Sequence, residues 1–402
     1  ILYSNYYKLY LMELSKRISN TKLSATIAMS MKARELKAKG APIITLTAGE
    51  PDFDTPEHIK NAAIIAMKEG NTKYTPVDGM PALKDAIISK LKNDNNLEYS
   101  RDQIIVSTGC KQSIYNLCQS VLNEGDEVIV PAPYWVSYPE IIKLAGGVPV
   151  ILETDKTKNF KLDSDKLEES INNRTKMIII NSPSNPSGVV YEKSDLESIG
   201  NILKKYPNIL VASDDIYEHI ILENKKFINI LEVHPDLYER TVILNGVSKA
   251  YAMTGWRIGY TAGSREITNA MKKIQSQSTS CTCSISQCAA IAALSHKTDD
   301  LANMVKEYKK RSNFLIDAFK DINGFEFNSC EGSFYAFVDV SKAIEKTDNI
   351  KNDIDLCNFL LDRCNVAVVP GSAFGIENYI RISFATSMSN LEKAVENIKK
   401  EF

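Results

Sequence analysis

The sequence predicts an α/β protein with a mostly parallel seven-stranded sheet sandwiched by helices, and a smaller α+β domain. Seven short apolar runs alternate with amphipathic stretches between about residues 100 and 265. Strands separated by helices favour right-handed crossovers and parallel neighbours. The runs are almost continuously apolar, which is typical of strands covered on both faces. After Ser264 the chain becomes mainly helical and then returns to short strands, which indicates the second domain.

The elements of the sheet follow from these runs in chain order. The predicted strands are Gln103–Ser107, Glu127–Val130, Val148–Leu152, Met177–Ile180, Ile209–Ala212, Val242–Asn245 and Ile258–Thr261. The stretches with helical spacing of apolar residues are Gln112–Leu122, Ser137–Ala145, Lys166–Ile171 and Ser194–Lys205.

The second domain is predicted to begin beyond one long helix, Asp300–Ile322, which ends before Gly324 and bridges the domains. The strands expected after it are Phe325–Asn328, Phe334–Val340, Val366–Val369 and Tyr379–Phe384, and the helices are Ile354–Cys364 and Asn390–Lys400.

The composition argues against several classes of protein. A net charge of −2 over 402 residues gives no field that favours nucleic acid or an anionic membrane. No apolar run reaches the ~18 residues that a membrane span needs. The eight cysteines are scattered and the four histidines do not cluster near them, so we expect reduced thiols in a cytoplasm and no metal. Residues 1–11 lack the features of a signal peptide and are interpreted as an N-terminal extension.

Lys249 is the first candidate for chemistry, because it follows the predicted strand Val242–Asn245. Lysine is rarely buried without a partner or a function. By position alone a surface loop is the better interpretation. Arg257 favours a functional interpretation of Lys249 instead, because it lies eight residues on, is flanked by glycines, and can reach back to an anion.

Two further candidates also follow predicted strands, at the edge where open α/β sheets bind ligands. Gly109, Cys110 and Lys111 open a helix whose free N–H groups and dipole suit a phosphate. Asn185 lies in a loop that two prolines make rigid, although Asn-Pro is also common in ordinary turns.

A second group supplies a carboxylate and a flat ring. Asp214 and Asp215 follow an apolar strand, and because two buried carboxylates would repel each other we expect one to face solvent. Tyr217 lies three residues beyond Asp214. Trp135 follows another strand, where core packing is the plain alternative. Together the candidates fit one ligand, a phosphorylated aromatic aldehyde that needs an amine, a carboxylate, a stacking face and a phosphate cup.

With these residues in place, the chain resembles the class I aminotransferases of the fold-type I pyridoxal-phosphate superfamily. Within them it is most similar to the bacterial aspartate aminotransferases, some of which also act on prephenate. The resemblance covers residues 12–402. Its marks are Leu46–Phe53, Lys73–Pro76, Ala132–Tyr138, Asn181–Pro186, Ser213–His219, Ser248–Lys249, Met253–Gly259 and Tyr379–Ser383.

The resemblance implies a role for each candidate around pyridoxal 5′-phosphate. Lys249 would form the Schiff base and later move the Cα proton, and Asp214 would pair with the pyridinium nitrogen. Asn185 and Tyr217 would bind the ring oxygen, and Trp135 would stack on the ring. The implied phosphate site consists of Gly109, Cys110, Lys111, Ser248, Arg257 and, from the other subunit of a homodimer with shared active sites, Tyr74. Gly246 stands where some relatives have a phosphate-binding serine, which puts one phosphate contact in doubt, and Ser248 is the residue that can compensate for it.

The resemblance also implies a substrate site for amino and keto acids. Arg381 would bind the α-carboxylate, for which its planar fork is suited. Gly49 would approach the substrate through its backbone, and Trp135 and Asn185 would also contact it. Lys22, Thr26 and Lys111 match positions linked to dicarboxylic substrates, although solvated surface lysines are the plain alternative.

The expected reaction is transamination of L-aspartate with 2-oxoglutarate to oxaloacetate and L-glutamate, with conversion of prephenate to arogenate left open. The alternatives are an aminotransferase or β-lyase for aromatic or neutral amino acids, and a non-catalytic cofactor-binding module. The expected domains are the 1–11 extension, a small domain of 12–60 with 311–402, and a large cofactor-binding domain of 61–310.

Overall fold

The structure, a computed structural model, describes residues 14–296, 298–327 and 329–402. Its strands are β1 (Ile44–Thr45), β2 (Ile104–Ser107), β3 (Glu127–Ala132), β4 (Val148–Glu153), β5 (Thr175–Asn181), β6 (Leu210–Asp214), β7 (Thr241–Gly246), β8 (Gly259–Ala262), β9 (Tyr335–Asp339), β10 (Val366–Ala367), β11 (Val369–Pro370) and β12 (Tyr379–Ser383). Its helices are α1 (Lys16–Ser19), α2 (Ala25–Ala38), α3 (Glu57–Lys68), α4 (Pro81–Asn95), α5 (Cys110–Val121), α6 (Ser137–Leu144), α7 (Ser164–Ser170), α8 (Lys193–Lys204), α9 (Ile230–Val233), α10 (Arg265–Ser276), α11 (Ser284–Ser295), α12 (Asp300–Lys320), α13 (Ser341–Lys346), α14 (Asp353–Arg363) and α15 (Met388–Lys399). Within the described ranges no helix combines the length and apolarity needed to cross a membrane.

The central sheet contains seven strands in the order β2-β8-β7-β6-β5-β3-β4. Strand β8 is antiparallel to both of its neighbours, and the remaining pairs are parallel. The seven strands predicted from the sequence are all present, with ends within two residues of the prediction. The predicted fold class is therefore confirmed.

The sheet is buried on both faces because alternate residues of each strand enter different cores. In β5, Ile178 and Ile180 join the core that α3, α4, α8 and α11 cover. Met177 and Ile179 point the other way, into the core beneath α5, α6 and α10. This double cover explains the unbroken apolar runs in the sequence.

The topology brings several chain segments to one edge of the sheet. Strands β2, β3, β5, β6 and β7 end there, and because β8 is antiparallel it begins there. The strand order reverses between β3 and β5, which opens a crevice of the kind that binds ligands in α/β proteins.

The remaining strands form two small sheets near the C-terminus. Strands β11, β12 and β9 are antiparallel, and β1 pairs in parallel with β10. This second pairing joins the segment before the large sheet to the segment after it. The domain boundaries given above stay a prediction.

Two predicted strands of this region differ from the structure. Val366–Val369 divides into β10 and β11, which belong to different sheets. A strand over Phe325–Asn328 is wrong for the described residues, since only Glu326 forms a bridge, to Asp339, and Asn328 lies outside them. Phe325 stacks on Phe319 of α12 at 5.9 Å between ring centroids, so its apolar character reflects core packing.

Candidate functional site

A cavity of about 440 Å³ lies at the edge where the strands end. Its volume is in the ordinary range for small-molecule sites. The walls come from the loops after β3, β5, β6 and β7, the start of α5, helix α2 and strand β12. The candidates that line it are Thr26, Gly49, Cys110, Lys111, Trp135, Asn185, Asp214, Tyr217, Ser248, Lys249, Arg257 and Arg381.

Lys249 lies in the turn after β7 and extends its amine into the cavity. The Nζ atom donates a hydrogen bond to the carbonyl of Gly49 and lies 5.8 Å from the ring centroid of Tyr217. Loss of solvent around the amine lowers the pKa of Lys249 to about 8, although the carboxylate of Glu50 opposes this shift. A lysine that loses its proton near neutral pH can act as a nucleophile and as a base.

Asp214 is the last residue of β6 and is only 3% exposed. Its carboxylate accepts hydrogen bonds from the Tyr138 hydroxyl at 2.5 Å and from the Ile216 N–H at 3.3 Å. Burial raises the pKa of Asp214 to about 6, and these donors hold it from rising further. A hydrogen-bond donor or positive charge on the cavity side of Asp214 would therefore stabilise its ionised carboxylate.

The expectation that Asp214 or its neighbour Asp215 faces solvent is wrong. Asp215 is 4% exposed and accepts hydrogen bonds from Ser213 Oγ at 2.7 Å and Asn229 Nδ2 at 2.6 Å. The two carboxylates have different hydrogen-bond partners and therefore occupy separate environments. Burial raises the pKa of Asp215 well above its usual range.

The start of α5 forms a cradle with Arg257. Gly109 has φ 81° and ψ 160°, a conformation that is essentially restricted to glycine. A Cβ at Gly109 would lie 2.4 Å from Arg257 Nη2, and one at Gly259 would lie 2.3 Å from the Cys110 nitrogen. Glycines thus allow the guanidinium and β8 to approach the start of α5, where the N–H groups of Gln112 and Ser113 donate to the Gly109 carbonyl and those of Cys110 and Lys111 precede the first helical hydrogen bond.

This cradle fits a phosphate. Arg257 contributes a positive charge, with Nη1 held by the Thr254 carbonyl at 2.8 Å, and the helix start contributes N–H donors and its dipole. Ser248 also lines the cavity. Gly246 lies in β7, where a Cβ would be 2.8 Å from the Ile258 carbonyl, so close approach of the chain requires glycine at this position.

Arg381 of β12 is 2% exposed. Its Nη1 donates to Asn185 Oδ1 at 3.0 Å and its Nη2 to the Thr47 carbonyl at 2.7 Å, while Nε has no hydrogen-bond partner in the described part of the chain. Across the described ranges, no carboxylate lies within salt-bridge distance of it. A buried guanidinium without a counter-charge is unfavourable, which makes this position suited to an anionic ligand.

Aromatic side chains complete the walls. Trp135 lies under the ammonium of Lys111, 4.9 Å from the ring centroid. The Tyr217 hydroxyl is 2.9 Å from that of Tyr335, whose ring lies 4.4 Å from the guanidinium carbon of Arg381. Sequence reasoning missed Tyr138 and Tyr335. Tyr138 stands inside the matching segment Ala132–Tyr138, which was the available signal, whereas Tyr335 had none.

Three candidates do not line the cavity. Gly109 lies directly behind it, against Arg257. Lys22 is exposed and its backbone N–H donates to Glu140 Oε2 at 2.7 Å, so the structure does not bring its side chain into the site. Tyr74 is 93% exposed.

Comparisons with known proteins identify the family of the chain. The family model for aminotransferase class I and II matches residues 41–398. The aspartate/prephenate aminotransferase of Nitrosomonas europaea is 53% identical over 96% of this chain and 99% of its own length. A probable aspartate/prephenate aminotransferase of Rickettsia conorii is 52% identical over 96% and 98%.

Solved structures give the same result. The aspartate aminotransferase from Rhizobium meliloti superposes with a TM-score of 0.93 at 43% identity, over 96% of this chain and 98% of that one. The aspartate aminotransferase from Thermus thermophilus with maleate has a TM-score of 0.91 at 39% identity, over 97% and 100%.

Proposed function

The chain belongs to the class I and II aminotransferases, and we propose that it transfers the amino group of L-aspartate to 2-oxoglutarate, forming oxaloacetate and L-glutamate. The cofactor is pyridoxal 5′-phosphate. The observation that carries the proposal is that Lys249, Asp214 and Arg381 meet in one cavity. The relatives named for aspartate and aspartate/prephenate support the choice of substrate.

The residues present fit the cofactor part by part. The cradle of Gly109 and Arg257 suits its phosphate, and the carboxylate of Asp214 suits its ring nitrogen. Trp135 provides a stacking face, and Asn185 retains its Nδ2 as a donor because its Oδ1 accepts from Arg381. When bound, the cofactor supplies an electron sink for the charge that develops at the substrate Cα.

The protein's own groups bind the substrate and move its proton. Arg381 binds the α-carboxylate, which provides the missing counter-charge. Lys249 acts as the base at Cα, because its lowered pKa leaves a useful fraction of neutral amine near pH 8. Gly49, whose carbonyl accepts from Lys249, keeps this part of the cavity open because a Cβ there would lie 2.7 Å from the Tyr335 hydroxyl.

We assign the second carboxylate of aspartate to Lys111 and Thr26, which both line the cavity. The Thr26 hydroxyl is buried and has no hydrogen-bond partner among the residues that the structure describes, and the ammonium of Lys111 is held over Trp135. The Thermus relative with bound maleate, a dicarboxylate, supports this class of ligand. Prephenate is proposed as a further amino acceptor on the names of the relatives alone.

A homodimer with shared sites is proposed from the exposed residues around Tyr74. The Tyr74 side chain is 93% exposed, and α3 presents Ile64, Ile65 and Met67 at 40%, 54% and 50% exposure. Such a surface is suited to burial against a second copy. In the dimer Tyr74 reaches the cofactor phosphate of the other subunit.

A cytoplasmic location is supported by eight cysteines that are all free.

The test is a single half-reaction. L-Aspartate is added to the holoenzyme, and the visible absorbance is followed as the aldehyde form of the cofactor converts to its amine form. We expect conversion with aspartate at far lower concentration than with alanine or phenylalanine. In a second half-reaction, addition of prephenate to the amine form should yield arogenate. Release of ammonia would indicate a β-lyase, and no change with any amino acid would leave a binding module.

A further inference from the structure

Tyr138 is a buried hydroxyl that directly contacts the site and has no role in the proposal so far. We propose that Tyr138 is a positioning residue, which fixes the orientation and charge of the Asp214 carboxylate for the ring nitrogen of the cofactor. This inference rests on the proposed function. It concerns how one group is prepared for the cofactor, and is separate from the identity of the substrate.

Both oxygens of the Asp214 carboxylate are held from the protein side. The Tyr138 hydroxyl donates to Oδ2 at 2.5 Å, and the Ile216 N–H donates to Oδ1 at 3.3 Å. Cys110 Sγ lies 3.9 Å from Oδ1 and is a weaker third donor. Hydrogen bonds to both oxygens fix the plane of the group, so its remaining lone pairs face the cavity.

Asp214 depends on these donors for its charge. Among the described residues it forms no salt bridge, and the groups that face it are Tyr138 of α6, Cys110 of α5, Tyr217 after β6 and Lys249 after β7. Burial favours the neutral acid, and the Tyr138 hydroxyl is the strongest single influence in the opposite direction. Burial raises the pKa of Tyr138 well above its usual range, so the hydroxyl keeps the proton that it donates.

The position of Tyr138 in α6 links this role to the stacking residue. Trp135 lies three residues earlier, and the two rings meet edge to face at 5.3 Å and 85°. Because Tyr138 is 2% exposed and packed on all sides, phenylalanine would preserve its packing and remove only the hydroxyl. The substitution therefore separates donation from packing.

The experiment compares the wild-type and Tyr138→Phe holoenzymes reconstituted with cofactor labelled with ¹⁵N in the ring. The ¹⁵N chemical shift, measured by solid-state NMR against pH, reports whether the ring nitrogen carries a proton. In Tyr138→Phe we expect the midpoint of the ring-nitrogen titration to fall by about one pH unit or more, because the lost hydrogen bond was made to a charged group. Cofactor binding should be about tenfold weaker. We also expect kcat to fall by about tenfold, while KM for aspartate changes by less than about twofold.

Tyr191→Phe is the matched control, because Tyr191 is 7% exposed, its hydroxyl accepts from the Leu162 N–H at 3.3 Å, and it lies outside the cavity. It should leave the ¹⁵N midpoint and the cofactor affinity unchanged. If Tyr138→Phe behaves like this control while the wild-type enzyme converts aspartate, the inference is wrong and the proposed function stands. If the wild-type enzyme converts no amino acid, the proposed function fails, yet the ¹⁵N titration still decides the role of Tyr138.

A second replacement covers the case in which Tyr138→Phe does not fold. Site-specific incorporation of 3-fluorotyrosine at position 138 keeps the shape of the side chain and makes its hydroxyl a stronger donor. The ¹⁵N midpoint should then move to higher pH, opposite to the phenylalanine variant. An unchanged midpoint would overturn the proposal.

Discussion

Replacement of Gly109 by alanine should weaken cofactor binding through the phosphate cradle alone. The new Cβ would lie 2.4 Å from Arg257 Nη2 and 2.9 Å from its Cζ, so the guanidinium must leave its place beside α5. A charge-assisted contact from Arg257 to a phosphate would be worth about 1.5–3 kcal/mol. Loss of one such contact corresponds to about 10- to 100-fold weaker binding.

The substitution also strains the backbone, and the control must share this effect. Alanine in the conformation of Gly109 costs about 1–3 kcal/mol of stability. Gly125→Ala is a suitable control, because Gly125 has φ 86° and no atom within 4 Å of the added Cβ. Urea unfolding should therefore show a loss of stability for both apoenzymes, and the loss for Gly109→Ala also includes the displacement of Arg257.

The assay titrates each apoenzyme with pyridoxal phosphate and, separately, with pyridoxal, which lacks the phosphate. The wild-type protein and Gly125→Ala should strongly prefer the phosphorylated form, and Gly109→Ala should lose most of that preference. Equal preference in all three proteins would refute the phosphate cradle.

Three further predictions concern charge, substrate and assembly. Asp214→Asn should stabilise the apoenzyme at pH 7.5 by up to about 3 kcal/mol. The reason is that folding raises the pKa of Asp214 from 3.8 to about 6, so the ionised carboxylate destabilises the fold above that pH. The wild-type protein should accordingly gain stability as the pH falls from 6 towards 4, where the difference between the two proteins in urea unfolding should vanish. Lys111→Ala should raise KM for aspartate by about tenfold and leave KM for alanine nearly unchanged. Lys22→Ala should change neither value much, because of the two lysines only Lys111 lines the cavity. Equal losses for both amino acids in Lys111→Ala would contradict this assignment. Mixing inactive Lys249→Ala dimers with Tyr74→Ala dimers should restore activity, because each hybrid dimer contains one site with both native residues; no recovery after subunit exchange would exclude shared sites.

Local pattern was sufficient for the sheet and for most of the cavity. The seven strands were predictable because unbroken apolar runs between amphipathic helices have few other solutions. Lys249, Asp214, Asn185 and Trp135 were predictable together because each follows a strand, and parallel strands end at the same edge. The family motifs then assigned a role to each position.

Contacts between distant segments could not be predicted in this way. The Tyr138 hydroxyl donates to Asp214 from 76 positions away in the sequence. Asp215 is buried because Asn229 and Ser213 donate hydrogen bonds to its carboxylate. Arg257 reaches α5 only because β8 is antiparallel, a choice of direction that no local pattern encodes. Lys22 matched a substrate motif, yet its side chain lies outside the cavity.

The sequence by itself therefore determined the fold class, the family and most of the groups that line the cavity. These depend on periodicity and on side-chain chemistry, which are properties of short segments. The tertiary structure alone decided which carboxylate oxygen each donor meets, how closely Arg257 approaches Gly109, and that Arg381 is buried with no carboxylate of the described residues beside it. Those features arise where strands and helices from different parts of the chain pack together, and hydrogen bonds and charges act only over the few ångströms that this packing sets.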